Sequence, residues 1–234
     1  MKHFRKIVAL LTFTLLSACG PSLPSVPPGD IVTRSGEAML KVPSMHFKID
    51  ISGAPVYLNK SASLSLRSVE GDFARPDSMG VHLKVIAAVA AAEMDMIALG
   101  NEQYVTSILT GKWEVLPPQF GFNPAIMFDP KVGIEQLLKS GIDGAQLVGV
   151  ESLDGVSVYH IKGSLDGARV QGLSGGMIGT GRIDAELWAE GDTFVPRRAL
   201  LIDTASDPEK PSTWAMTFAS FGKTVNITAP TIGQ

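Results

Sequence analysis

The feature that most limits the fold is the run Met45 to Ser52, in which Met45, Phe47, Ile49 and Ile51 alternate with His46, Lys48, Asp50 and Ser52. A strict period of two puts all four apolar side chains on one face of an extended strand, because successive Cβ atoms point to opposite sides. Such a strand needs neighbours on both edges and a cover for its apolar face. Further strand patterns at Leu64 to Phe73, Met79 to Ala87 and Met94 to Leu99 supply neighbours, and Gln103 to Ile108 and Trp113 to Leu116 continue the series. No helix-length segment separates them, so the connections are short and the pairing antiparallel.

Pro117-Pro118 interrupts the sheet. Asp129 as N-cap and Pro130 at the first helical position predict a helix through Lys139, ended by Gly141, with Ile134, Leu137 and Leu138 on its apolar face. Strands resume at Gln146 to Leu153 and Val156 to Lys162, with Asp154-Gly155 as the hairpin turn between them. Arg182 to Ala189, Val195 to Asp203 and Thr213 to Ser220 follow, and Thr224 to Thr228 reads as a short terminal strand. The glycine-rich stretch Gly163 to Gly181 fits a frayed helix or a long loop. Near the start, Asp30 can cap a helix through Val42 with Val32, Met39 and Leu40 on one side, stopped by Pro43. The expected class is α+β: a long antiparallel sheet with a few helices on one face. So few helices cannot fill the inner face of a strongly curved sheet, which leaves room for a ligand.

The N-terminus carries a separate message. Met1 to Lys6 is cationic, and the apolar run Ile7 to Leu16 is broken only by Thr12 and Thr14. That run is shorter than the about 20 residues of a membrane-spanning helix and suits the core of a signal peptide. It meets Leu16-Ser17-Ala18-Cys19, the order of a bacterial lipobox, and Cys19 is the only cysteine in the chain. The expectation is a signal peptide over 1–18, a diacylglyceryl group on the Cys19 thiol and a proline- and serine-rich tether over 19–29. A single domain of residues 30–230 follows, within the about 215 residues left by cleavage.

Charge and motifs exclude several functions. A net charge of −3 offers no basic surface, so no nucleic-acid partner is expected. Gly172-Leu173-Ser174-Gly175-Gly176 matches the G-x-S-x-G nucleophile elbow, whose triad needs a later histidine. No histidine follows His160, so an envelope hydrolase using Ser174 is a minor alternative. His46, His82 and His160 stand singly in strands without metal-ligand spacing, and Asp72, Asp77, Glu93 and Asp95 read as solvated carboxylates. No metal, no cofactor and no catalytic residue is assigned.

Several segments together resemble the mycobacterial LppX/LprG family of lipoproteins. They are Asp129-Pro130 with Gly133 and Leu137-Leu138, Leu153 to Val156 leading to Tyr159 to Gly163, and Glu186-Leu187-Trp188 with Pro196-Arg197-Arg198. Trp214 to Phe218, Phe221 to Lys223 and Ile227 to Pro230 complete the set. The resemblance implies a curved antiparallel half-barrel with helices on its concave face, enclosing an apolar cavity for the acyl chains of complex lipids. It also implies a helix where the glycine-rich stretch Ser164 to Gly181 stands. On that basis the chain is expected to be an envelope lipoprotein on the extracytoplasmic face, anchored to the membrane through Cys19. Its expected role is to carry a multi-acyl lipid or glycolipid across the cell envelope, with an envelope lipid transporter as a further partner. The cavity lining expected is Phe47, Ile49, Ile126, Ile134, Leu137, Leu138, Val158, Leu187 and Met216. The alternative is a non-catalytic scaffold whose sheet packs solidly.

Overall fold

The computed structural model describes residues 23–59, 61–117, 126–127, 129 and 131–233. One antiparallel sheet of 12 strands dominates. Helix α1 (Pro28–Leu40) is followed by β1 (Ser44–Ser52), β2 (Val56–Tyr57), β3 (Leu64–Ala74), β4 (Ser78–Ala87), β5 (Ala90–Leu99), β6 (Glu102–Thr106) and β7 (Trp113–Val115). Helix α2 (Ile134–Lys139), β8 (Asp143–Leu153), β9 (Val156–Asp166), α3 (Gly167–Leu173), β10 (Arg182–Glu190), β11 (Pro196–Asp203) and β12 (Ser212–Ala219) complete the order. The spatial order is β7-β6-β5-β4-β3-β1-β12-β11-β10-β9-β8, with β2 paired to β3 outside that path. Two meanders therefore run outwards from one seam, β1 against β12, where Phe47 faces Phe218 and Ile51 faces Trp214. The sheet is not closed into a barrel: β7 and β8 are its free edges.

The alternation in β1 sets the inside. Met45, Phe47 and Ile51 are buried, and the row continues through Phe73, Val81 and Leu83 on one side and Trp214, Leu187 and Ile161 on the other. Curvature is built into β3 at Gly71, where an added Cβ would lie 2.1 Å from the Gly80 carbonyl oxygen of β4. Two strands approach there too closely for any side chain, as at a tight bend.

Among the described residues three short helices lie in the concavity, in contact α1 with α2 and α2 with α3. Helix α1 begins at Pro28, two residues before the expected cap, because Pro27 accepts from the Asp30 and Ile31 amides and a proline suits the first turn. Residues 23–27 are not a free tether: Leu23 and Val26 pack against the core, and the Tyr159 hydroxyl donates to the Pro24 carbonyl at 2.7 Å. Helix α2 begins at Ile134 with Gly133 as N-cap, later than expected. The Asp129 carboxylate caps a separate turn instead, accepting from the Lys131 and Val132 amides, while Pro130 lies outside the described residues. Gly36 lets α2 approach α1, since a Cβ there would meet the Glu135 carbonyl oxygen at 2.8 Å.

The expected terminal strand at Thr224 to Thr228 does not form. The tail crosses the convex face instead. Lys223 accepts from the Ser44 hydroxyl, Ile227 sits over Gly80, and the Gly233 amide donates to Trp113 of β7.

Arg75, in the β3–β4 turn, joins these layers. Its guanidinium donates to the Met39 carbonyl in the last turn of α1 at 3.0 Å and to the Val42 carbonyl just beyond that helix at 2.9 Å, and pairs with the Glu135 carboxylate of α2. Glu135 is 1% exposed. Breaking a buried pair costs more than the pair contributes, because the remaining charge loses its partner in a poor solvent. Arg75→Met is expected to destabilise the domain by about 3 kcal/mol, read as a lower urea midpoint. Adding Glu135→Leu to it should recover most of that loss.

Candidate binding cavity

Helices α1, α2 and α3 stand off the sheet and leave a cavity of about 240 Å³ against its concave face, open to solvent on part of its boundary. Its floor comes from alternate residues of the strands: Phe47 and Ile49 of β1, Val69 of β3, Val81 of β4, Leu187 of β10, Met216 of β12. Its roof comes from Met39 of α1, from Ile134, Leu137 and Leu138 of α2, and from Val170 and Leu173 of α3. Two polar residues border it, Ser174 and Glu186. The Glu186 carboxylate is bonded to His160 on the convex side, so what it adds to the wall is backbone.

Most of the expected lining residues come together here. Phe47, Ile49, Ile134, Leu137, Leu138, Leu187 and Met216 border one space. Two do not. Val158 is wholly buried but opposes Glu190 and Glu151, in the outward phase of β9, where Tyr159 and Ile161 take the inward one. Ile126 does not border the cavity, and its neighbour Met127 does. Cys19 lies outside the described residues. The sequence reading missed the contribution of α3. The glycine-rich stretch continues β9 to Asp166, then forms a seven-residue helix capped by the Asp166 carboxylate, which accepts from the Ala168 amide. The signal was present as Asp-Gly-Ala before a Val and a Leu three residues apart, diluted by the glycines around it.

The methionines matter to what this space accepts. Met39, Met79, Met96, Met127, Met177 and Met216 all border it. Unbranched thioether chains re-pack around irregular apolar guests at little cost. Among the described residues the one charged residue bordering it is Glu186, whose carboxylate is engaged by His160 and does not face inward to hold a water-soluble substrate.

Ser174 is not poised for attack. Its hydroxyl donates to the Gln171 carbonyl and accepts from the Ile178 amide, both at 3.0 Å, and it caps the end of α3 instead of turning from a strand into a helix. The three histidines among the described residues share one plan on the convex face. His46 pairs with Asp72 at 2.9 Å and His82 with Asp95 at 2.8 Å, each across to the next strand. His160 lies between Glu151 at 2.6 Å and Glu186 at 2.7 Å, stacked on Trp188 with ring centroids 4.1 Å apart. Among the described residues no cluster of histidine, cysteine and carboxylate side chains could hold a metal ion, and no helix is long and apolar enough to cross a membrane.

Two carboxyls on this outer side are held below the usual range. Glu151 is lowered first by the hydrogen bond from the Trp188 indole, then by His160 and Arg198, against the opposing effect of burial. Burial raises Glu190, but hydrogen bonds from Thr193 and Arg197 and the Arg197 charge outweigh it.

The geometry gives two expectations. Ala199→Trp, on the cavity floor in β11, should reduce uptake of a fluorescent fatty-acyl probe several-fold while the far-ultraviolet circular dichroism stays unchanged. Depressed carboxyls stabilise the fold at pH values above their unfolded range and cease to do so as pH falls through their folded values. Urea midpoints should therefore drop from about pH 5 downwards, and Glu151→Gln should make that drop shallower.

Known proteins converge on one family. The model of the LppX_LprAFG lipoprotein family matches residues 27–227. A lipoarabinomannan carrier protein, LprG of Mycobacteroides abscessus, is 21% identical over 223 residues, covering 95% of this chain and 92% of that protein. The crystal structure of LprF from Mycobacterium bovis superposes with a TM-score of 0.71 at 18% identity, over 89% of this chain and 99% of that one. Lipoprotein LppX of Mycobacterium tuberculosis gives 0.62, also at 18% identity, over 86% and 98%. A match that runs from the first turn of α1 through the tail behind β12, on the same open sheet, makes this chain a member of the LppX_LprAFG lipoprotein family.

Proposed function

We propose that this protein is a lipid-anchored carrier that shields the acyl chains of a multi-acyl lipid or glycolipid and moves them across the cell envelope. The supporting observation is the cavity: about 240 Å³, with an apolar wall and, among the described residues, no charged side chain turned into it. Burial alone suffices as driving force. Each methylene removed from water contributes about 0.8 kcal/mol, so ten of them amount to roughly 8 kcal/mol. The carrier role named for the Mycobacteroides relative fits this reading. A scaffold would have no use for an unfilled concave face. In the proposal Cys19 bears the diacylglyceryl anchor, the ligand's polar part stays at the open side of the cavity, and an envelope lipid transporter supplies or receives the cargo.

Native mass spectrometry of the mature protein, purified from a lipid-rich bacterial host, tests this directly. The expected result is a set of multi-acyl lipids that leave only on denaturation. A clean unliganded mass, unchanged after incubation with envelope lipids, would overturn the proposal.

A further inference from the structure

The two ends of the sheet are built differently. At one end lie the turns after β8 and β10, with the N-terminal segment fastened to them. Leu23 packs so closely on Gly191 that a Cβ there would lie 2.3 Å from its Cδ2, Tyr159 holds Pro24, and the Gly191 amide donates to Ser157. Only three residues lie between Cys19 and Leu23, a reach of at most about 14 Å. A lipid on Cys19 would keep this end beside its own membrane.

The opposite end carries the β4–β5 and β6–β7 hairpin tips. The antiparallel order places both there, away from Gly191. Val89 is 96% exposed and Leu109 95% exposed, and Ile108 beside it is also exposed. A solvated two-residue hairpin takes Asn or Gly, which accept a positive φ and hydrogen-bond to water. The β4–β5 tip has Ala88 at φ +55° followed by Val89, inside an uncharged run from Val85 to Ala92. The neighbouring tip, Ser107 to Gly111, is likewise uncharged. Local turn chemistry given up at the most exposed points of a fold marks a site with another demand on it.

We propose that these two tips dock on a second lipid surface, inserting Val89, Ile108 and Leu109 among its headgroups, so that the protein spans the gap between its anchor membrane and an acceptor. For its purpose, though not for the contact itself, the inference rests on the carrier reading. The cavity extends towards this end, where Leu58 beside β2 borders it. A protein partner needs a continuous complementary face of about 800 Å². Two separate protruding tips fit a bilayer interface instead, which admits isolated apolar side chains. The absence of charge on both tips and the net charge of −3 favour a neutral or zwitterionic surface over an anionic one.

The test uses mature protein anchored in donor vesicles and mixed with phosphatidylcholine acceptor vesicles. Clustering is read by light scattering and by co-sedimentation of the two populations. Val89→Asp with Leu109→Asp should cut clustering at least ten-fold, with the thermal melt and the bound-lipid mass unchanged. Val89→Leu with Leu109→Phe should retain it, and Val148→Asp, at an exposed apolar position on β8, should behave as wild type. A bimane label on Leu109→Cys should shift to the blue when acceptor vesicles are added. Clustering equal in wild type and the double Asp variant would overturn the inference, as would clustering that appears only with a protein in the acceptor membrane. Tip-dependent clustering by protein that holds no lipid would leave the docking in place and remove the carrier reading alone.

Discussion

A sheet with one apolar face must cover that face, and everything distinctive here follows from covering it incompletely. Strands of nine to eleven residues make up most of the two meanders, yet α1 has 13 residues, α2 six and α3 seven. Curling the sheet brings its inner face round the helices without letting them fill it. The apolar side chains that would form a solid core in a flatter protein become the wall of an open space. The methionines on that wall supply what rigid packing would deny, an apolar surface able to fit guests of differing shape.

Incomplete packing puts weight on the polar contacts that hold the helices in place. Arg75 ties the ends of two helices to a turn of the sheet, and Gly36 sets how close those helices come. On the convex side, cross-strand pairs stiffen the curved ladder: His46 to Asp72, His82 to Asp95, and Trp188 between His160 and Arg198. The charged chemistry of the molecule is thus spent on its outer shell and its joints, leaving the interior free of it.

What could be read from the chain was whatever local physics decides. The alternation of Met45 to Ile51 placed β1 and its inner face, and Asp154-Gly155 placed the β8–β9 hairpin. The cavity residues from β1, α2, β10 and β12 followed from such phases. Val158 shows the limit. It is one of a run of four buried residues in β9, so composition gave no phase, and only pairing with Glu190 reveals that it faces outwards. Ala90 to Ala92 belong to β5 although alanine favours no strand; the ladder from Ala87 to Ala90 imposes it. The Asp129 cap misled because its carboxylate closes a turn before the helix, and sequence cannot tell a turn of one from the first turn of the other. Leu23 and Val26, inside a proline-rich stretch, gain their place from long-range packing that no local pattern announces.

An open sheet also exposes two rows of unpaired backbone groups, the usual starting point for strand-to-strand aggregation. At one edge β7 has three residues and is bonded to the C-terminal tail through Trp113 and Gly233. At the other, β8 changes register against β9 twice, after Asp143 and after Leu147. One edge is too short to template a partner, and the other too irregular for a regular strand to match. Crowding many copies into one plane therefore need not make them polymerise, and exposed apolar residues on β8 such as Leu147 and Val148 can be tolerated at that edge.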